Sequence, residues 1–465
     1  VIKQDRHQAG ISENTSTGGT FMRYLIIGAV AAGTSAATEI RRRDKTAEIT
    51  IYEKGAYISY AGCGMPYYIS GEAADISELV PRDPAFFKAK HGIDILTEHE
   101  VVSIQSIEKS VTVKNLQSGS VFQDFYDALI LATGASGVIP PLIGADKAHV
   151  FKLRTIEDAL DIRAFITRNR PKKAAVIGTG LVGLEMCESF VKLGIQTTLI
   201  ARSTVAKGLD ADMTALIEKH LADNGVTVLS NTPTTEITDQ GVILGGGRSV
   251  EADMVLLATG IRPNVELAQK AGIELGVTGA VKVDNRMRTS VRDIYSCGDC
   301  AEVTHLLTGK PVYRPLGSTA NKTGVIAGNN AAGGGDIFPG VLGTGIFRVF
   351  DMTAAQTGLS EKEAADSGYE PIISLDTRPD KPAYMGGKNM VIKSVADKST
   401  GRLLGAQIVG YDGVDKRIDV LAALITMGAT VKTLAELDLA YAPPYSTPRD
   451  PLYYTGIKLG AQRQK

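Results

Sequence analysis

The same order of apolar run, glycine turn and amphipathic stretch occurs twice along the chain. Met22 to Gly28 (MRYLIIG) is a short apolar run closed by glycine, which predicts a buried strand. Ala31 to Arg43 then reads as a helix with small residues on the side facing a sheet. Ile49 to Tyr52 reads as a second strand, ending at Glu53. The pattern returns with a strand over Ala174–Ile177, a glycine turn, a helix to Leu193 and a strand over Thr197–Ile200. Strand–helix–strand units of this kind build parallel sheets. Two further apolar runs are near copies of each other: Asp127–Thr133 (DALILAT) before Gly134, and Met254–Thr259 (MVLLAT) before Gly260. The pattern predicts an internal duplication of a nucleotide-binding fold, with the second copy inserted in the first.

After Ile294-Tyr295-Ser296-Cys297-Gly298-Asp299 the chain reads as helical through Leu316–Ala332, and Gly333-Gly334-Gly335 marks a boundary. The last stretch alternates short strands (Thr344–Phe350, Asn389–Ser394, Leu403–Val409) with helices near Glu361–Ser367 and Asp415–Met427. It carries no phosphate-binding motif and reads as a separate α+β interface domain. Residues 1–21 are polar, rich in Gly, Ser and Thr, and lack an apolar h-region; they read as a leader or tag outside the fold.

At 465 residues the chain is long enough for two or three domains. Its 44% hydrophobic and 22% charged residues fit a globular protein, and a net charge of −1 points to neither nucleic acid nor a membrane surface. The four cysteines, Cys63, Cys187, Cys297 and Cys300, form no secreted-type framework, so a cytoplasmic, reducing compartment is expected.

The first glycine turn, Gly28-Ala29-Val30-Ala31-Ala32-Gly33, ends a strand and opens a helix. Backbone N–H groups at such a helix start can hold a pyrophosphate, aided by the helix dipole. Glu53 lies 25 positions after Gly28, close to the roughly 20 expected of an acid that binds an adenosine ribose. Val30 replaces the usual middle glycine. The distal Gly298-Asp299 pair completes an FAD site, its Asp directed to the ribityl chain. The expected FAD contacts are Gly28, Ala32, Gly33, Glu53, Lys54, Thr133, Gly134, Gly298, Asp299 and Ala320. The second turn, Gly178-Thr179-Gly180-Leu181-Val182-Gly183, has all three glycines and is read as the NAD(P) site. Its expected contacts are Gly178, Gly180, Val182, Gly183, Glu185, Arg202 and Gly260. Ala201 stands where an acidic ribose ligand is usual, and Arg202 follows, which suits a 2′-phosphate.

Cys63 lies in Ser59-Tyr60-Ala61-Gly62-Cys63-Gly64-Met65-Pro66-Tyr67. Its small neighbours leave room for a flavin ring and a bulky thiol, and a helix start would lower its pKa. No second cysteine lies two to five residues away, so any disulfide must be mixed with substrate, or the oxidised form must be a sulfenic acid. Cys297 and Cys300 enclose the Gly298-Asp299 pair and read as packing; Cys187 reads as core. The six histidines are scattered, and no metal site is expected. Tyr384 and Tyr441 sit in loops rich in Gly or Pro, where a phenol can donate to a leaving thiolate.

Taken together, residues 22–460 resemble the pyridine nucleotide-disulfide oxidoreductases. Ser59-x-x-x-Cys63, Pro66-Tyr67, the valine-containing first turn, Asp415-Lys416-Arg417-Ile418-Asp419 and Ala440-Tyr441-Ala442-Pro443-Pro444 are similar to the family's single-cysteine branch. That branch holds coenzyme A-disulfide reductases, coenzyme A persulfide reductases and NADH oxidases. The resemblance implies a cysteine that forms a mixed disulfide with coenzyme A, oriented by Ser59. It implies a homodimer in which Tyr384 and Tyr441 of one copy assist Cys63 of the other. It also places coenzyme A contacts at Glu39, Arg42, Lys416 and Arg417. Ala31 stands where the peroxidases of this branch carry a catalytic histidine. The expected architecture is α/β: a Rossmann-like FAD domain (22–150 and 262–335), a Rossmann-like NAD(P) domain inserted in it (151–261), and a dimerisation domain (340–465). Reduction of coenzyme A disulfide, persulfide or polysulfide is the leading reading. An NADH oxidase working through a Cys63 sulfenic acid, and a flavoprotein electron-transfer partner or redox sensor, are the rivals.

Overall fold

The computed structural model describes residues 21–206 and 208–464. The leader expected over 1–21 therefore lies outside the described residues, apart from Phe21.

Three five-stranded sheets organise the chain. The first has the spatial order Ile294–Ser296, Ala128–Leu131, Arg23–Ile27, Glu48–Tyr52, Asp94–Leu96, all parallel. The second runs Thr227–Leu229, Gln196–Ile200, Lys173–Ile177, Met254–Leu257, Val150–Lys152, again all parallel. Their central strands are apolar without alternation because both faces are covered: Ala128–Leu131 and Met254–Leu257 are buried at every position. The chain leaves the first sheet after Leu131 and returns to it only at Ile294, so the second sheet is an insertion in the first.

The two crossings between these sheets run side by side. Ala135–Gly137 pairs antiparallel with Ile261–Pro263, each directly after one copy of the Ala-Thr-Gly repeat. The repeats are cross-tied. Thr133 Oγ1 donates to the Asn264 carbonyl at 2.8 Å, Asn264 Nδ2 returns a bond to the Thr133 carbonyl at 2.8 Å, and Thr259 Oγ1 donates to the Val138 carbonyl at 2.6 Å.

The small residues expected to face a sheet on helix Ala31–Arg43 have a further task. They let helix Gly317–Ala331 approach at backbone distance. A Cβ on Gly324 would lie 2.4 Å from the Ala32 carbonyl oxygen, and one on Gly328 would lie 2.3 Å from that of Ala36. The contact brings the segment after Asp299 against the first glycine turn.

The third sheet is antiparallel, ordered Gly345–Val349, Met352–Gly358, Leu403–Gly410, Asn389–Asp397, Pro371–Pro379. Its strands Met352–Gly358 and Pro371–Pro379 escape the periodicity reading. So do the three-stranded meanders at 99–125 and 234–251 and the helix Pro451–Arg463. Phe347, Val349, Met352, Ala354 and Val409 of this sheet join one core with Leu184, Met186 and Phe190 of helix Leu181–Lys192 and with Met65, Tyr68 and Ile69. A single apolar cluster thus links the helix after Cys63, the second nucleotide fold and the third sheet. Among the described residues no helix is long and apolar enough to cross a membrane.

Candidate active site around Cys63

Both glycine turns are shaped by contacts a side chain would forbid. Gly28 has φ +106°, and a Cβ there would meet the Ala132 carbonyl oxygen at 2.3 Å. Gly178 repeats this with φ +112° and the Ala258 carbonyl oxygen at 2.2 Å. Gly33 and Gly183 each pack on the carbonyl of their own first glycine, at 1.8 and 2.3 Å for a built Cβ. Gly180, by contrast, has open space beside it, as a turn that admits a ligand requires. The helices that follow begin at Val30 and Gly180 with no side-chain cap. Their first N–H groups are left to an anion, which is the fit a pyrophosphate needs. Val30 in place of glycine leaves this geometry intact.

Glu53 accepts the Ala29 N–H and the Gly55 N–H, both at 2.8 Å, so its carboxylate is held beside the first turn. Lys54 beside it is exposed, whereas Ala320 is buried at the start of helix Gly317–Ala331. Gly298, at φ +74°, would place a Cβ 2.7 Å from Ala32 Cβ, and its N–H donates to Thr323 Oγ1. Asp299 therefore lies next to the first turn. Its carboxylate pairs with Arg154 at 2.7 Å. In the second fold Ala201 is buried, Arg202 and Val182 are exposed, and Gly260 (φ +106°) has open space around it.

Cys63 occupies a single 3-10 turn, Gly62–Gly64, that runs into helix Met65–Ser70. The Ser59 N–H donates to the Ala29 carbonyl at 2.9 Å, which ties this segment to the first glycine turn. Ser59 adopts a left-handed conformation, φ +50°, a strain that recurs at functional loops. Ser189 Oγ, on the nucleotide-turn helix of the second fold, donates to the Pro66 carbonyl at 3.0 Å. Cys63 is exposed, whereas Cys187, Cys297 and Cys300 are buried. Cys300 Sγ donates to the Cys297 carbonyl at 3.2 Å, consistent with packing.

The charges around Cys63 correct one expectation. Its thiol is pushed up, not down: although the residue reaches the surface, desolvation by the protein around the sulfur is the largest cause, Glu185 and Asp299 add to it, and Arg154 opposes them. The helix behind it has six residues and contributes little dipole. Glu185 is itself raised to about 7, by burial first and then by the Glu188 carboxylate. Thus residues from both nucleotide folds converge electrostatically on one sulfur. Arg154 is the residue that sequence reasoning misses. It stands in no motif, and only the pairing of strand Val150–Lys152 into the second sheet brings it beside Asp299.

The expected coenzyme A contacts divide. Arg42 is exposed and forms a fork with Glu39, its Nε donating at 2.7 Å. Glu39 is buried, also accepts from Asn329 Nδ2, and is held below the usual carboxylate range: burial opposes this, and the Arg42 bond overcomes it. Glu39 thus aims Arg42, and its buried carboxylate is taken up by that bond. Lys416 is exposed and donates to the Tyr445 carbonyl. Arg417 departs from expectation. It is 1% exposed, and its guanidinium is consumed by Asp450, Ser446 Oγ and the carbonyls of Asp380 and Gly413. A fork saturated in the core cannot reach a ligand, so Arg417 is structural. Tyr384 and Tyr441 are 75% and 48% exposed on the third domain.

Among the described residues no group of three or more His, Cys, Asp or Glu side chains is gathered to hold a metal ion.

Residues 22–322 match the family model described as pyridine nucleotide-disulphide oxidoreductase, and residues 346–450 match that family's dimerisation domain. The chain is 39% identical over 438 residues to an NAD(P)H sulfur oxidoreductase (CoA-dependent) of Pyrococcus furiosus, covering 92% of this chain and 97% of that protein. It is 34% identical to a coenzyme A disulfide reductase of Staphylococcus haemolyticus, covering 94% and 99%. Among solved structures, an NAD-dependent persulfide reductase from A. fulgidus superposes with TM-score 0.92 at 41% identity, covering 95% of this chain and 84% of that one. An engineered water-forming NADPH oxidase bound to NADPH superposes with TM-score 0.90 at 28% identity, covering 95% and 99%. Its five substitutions include three consecutive ones that replace Asp-Ala-Met by Ala-Arg-Ser. The chain belongs to the pyridine nucleotide-disulphide oxidoreductases.

Proposed function

We propose that this chain is an FAD-dependent NAD(P)H oxidoreductase that reduces the disulfide of coenzyme A, or its persulfide, through Cys63. The observation that carries the reading is a single exposed thiol where two nucleotide folds meet, with the other three cysteines buried. The two relatives named above are both called after sulfur chemistry and coenzyme A. In this reading residues 22–150 with 262–335 hold FAD, 151–261 hold NAD(P)H, and 340–465 join two copies in a homodimer. The buried and reduced cysteines suit the cytoplasm.

Bound FAD supplies the two-electron relay between NAD(P)H and the Cys63 sulfur. The residues that would hold it are the first turn for the pyrophosphate, Glu53 for the adenosine ribose and Asp299 for the ribityl chain, which must then compete with Arg154. The Cys63 thiolate attacks one sulfur of the incoming disulfide. A mixed disulfide forms, the substrate S–S bond breaks, and one coenzyme A thiolate leaves and takes a proton. Two electrons then cleave the mixed disulfide, restore the Cys63 thiolate and release the second coenzyme A. Since burial raises the free thiol, Arg154 is the chain's own counter-charge for the thiolate. Tyr384 and Tyr441 of the second copy donate to the leaving sulfur. Arg42 and Lys416 remain as exposed cations for coenzyme A phosphates.

Mass spectrometry of the purified protein tests this directly. The expected result is a coenzyme A adduct on Cys63 that reductant removes, together with NAD(P)H-driven turnover of coenzyme A disulfide. Rapid NADH consumption with O₂ alone, and none with the disulfide, supports the oxidase reading instead.

For the nucleotide, the chain carries Ala201-Arg202-Ser203 at the end of the second strand of its second fold. The same tripeptide is created by the consecutive substitutions of the engineered NADPH oxidase. NADPH is therefore expected to serve at least as well as NADH. Arg202→Ala should raise the KM for NADPH roughly tenfold or more relative to that for NADH, as expected for one charge-assisted phosphate contact. An equal effect on both nucleotides marks Arg202 as an ordinary surface charge.

A further inference from the structure

The connection that leaves the second sheet with Arg202 at its start, described over residues 201–206 and 208–210, enters helix Ala211–Asp223 at its end. Its beginning is tied to its own fold: Thr179 Oγ1 donates to the Thr204 carbonyl, and the Asn231 N–H to that of Ser203. Its end is tied to the third domain. The Asp210 N–H donates to Gln407 Oε1 at 2.8 Å. Lys393, on strand Asn389–Asp397 of the third sheet, places its Nζ 3.0 Å from a carboxylate oxygen of each of Asp210, Asp212 and Glu361. The lysine side chain is 6% exposed.

An ammonium taken from water needs partners on every side. Here two of the three come from the nucleotide loop and the helix it enters. Burial alone would lower the Lys393 pKa; the three carboxylates reverse this and hold it above its ordinary value. Removal of the cation would leave three carboxylates facing one another, which repel.

We infer that Lys393 is a positioning residue for nucleotide selection, clasping Asp210 and Asp212, at the far end of this connection, to the third domain so that Arg202 is held for a 2′-phosphate. The inference rests on the reading of Arg202 given above. A clasp at the loop's far end does not touch the nicotinamide or Cys63. Its loss acts on the phosphate-bearing end of the nucleotide, through the freedom the loop gains. NADPH suffers more than NADH because only NADPH uses Arg202.

The test compares steady-state constants for the two nucleotides in the flavin-loaded enzyme. Lys393→Met is expected to lower the NADPH-to-NADH ratio of kcat/KM roughly fivefold, a usual size for coupling through a side-chain network. The change should lie in KM, with kcat for saturating NADPH near that of the parent. Asp210→Asn should shift the ratio in the same direction. Glu361→Gln, which removes a carboxylate that belongs to the third domain, should leave it alone. If Lys393→Met does not fold, as judged by flavin content and thermal melting, the Asp210 and Glu361 variants decide the matter. An unchanged ratio in Asp210→Asn, or an equal shift in Glu361→Gln, overturns the clasp. If Arg202→Ala is selective for NADPH while Lys393→Met is not, the clasp alone fails. If Arg202→Ala is not selective, the reading of Arg202 falls and the clasp falls with it.

Discussion

Cys63→Ser is expected to abolish reduction of coenzyme A disulfide, by on the order of 10⁴-fold or more, while NAD(P)H still bleaches bound FAD. The asymmetry follows from where the residue stands. In the proposed reaction Cys63 ends the electron path, and it takes no part in either glycine turn, so the nucleotide half-reaction has no need of it. A serine hydroxyl is of nearly the same size but forms no mixed disulfide and is far less easily ionised. Anaerobic stopped-flow of the two half-reactions separates these cases. Retained disulfide reduction in the variant would move the sulfur chemistry elsewhere, and the three buried cysteines offer no accessible alternative. Loss of flavin reduction together with disulfide reduction would point to collapse of the core shared by Met65, Tyr68 and Leu184, not to chemistry.

Tyr441→Phe is expected to slow the sulfur half-reaction by about 10²-fold, the lower range for a positioned proton donor, and to leave flavin reduction nearly unchanged. The substitution keeps the ring and removes only the phenolic hydroxyl. Tyr441 is half exposed on the third domain, and the proposed homodimer makes it available to Cys63 of a second copy. In the proposed reaction its role requires a second copy. Mixed dimers make that requirement measurable. Combining Cys63→Ser chains with Tyr441→Phe chains gathers both lesions in one site and leaves the other site whole. Near half-parental activity per mixed dimer is expected. No recovery, with subunit exchange verified, would overturn a site shared between the two copies.

Much of this molecule is legible in one dimension because its signals are local. Parallel strands covered on both faces must be apolar throughout, so Met22–Gly28 and Met254–Thr259 stand out without help. A glycine whose Cβ would strike a carbonyl is required by the turn itself, so Gly28, Gly33, Gly178 and Gly183 announce the helix starts. The bounds of helix Ala31–Arg43 follow from the same local pattern. The antiparallel third sheet was legible only in part. Met352–Gly358 and Pro371–Pro379 are stabilised by partners distant in sequence, and their side-chain pattern carries no distinct period.

Side-chain roles were decided by tertiary structure. Glu39 and Arg42 look like two candidate phosphate ligands three residues apart; burial makes one the holder of the other. Lys416 and Arg417 are adjacent, yet helix geometry turns the second into the core, where Asp450 saturates it. Arg154 belongs to no motif and becomes the counter-charge of Asp299 and Cys63 only through the packing of two sheets. A lone cysteine near a helix start suggests a lowered pKa, but removal from water first, and then Glu185, more than a hundred residues away in sequence, reverse the sign. Backbone sterics and apolar runs act over a few residues, so the two strand–helix–strand units, their glycine turns and the segment of the exposed sulfur can be read along the chain. Charge, by contrast, acts through space, and which groups face Cys63 was settled only when the three sheets came together.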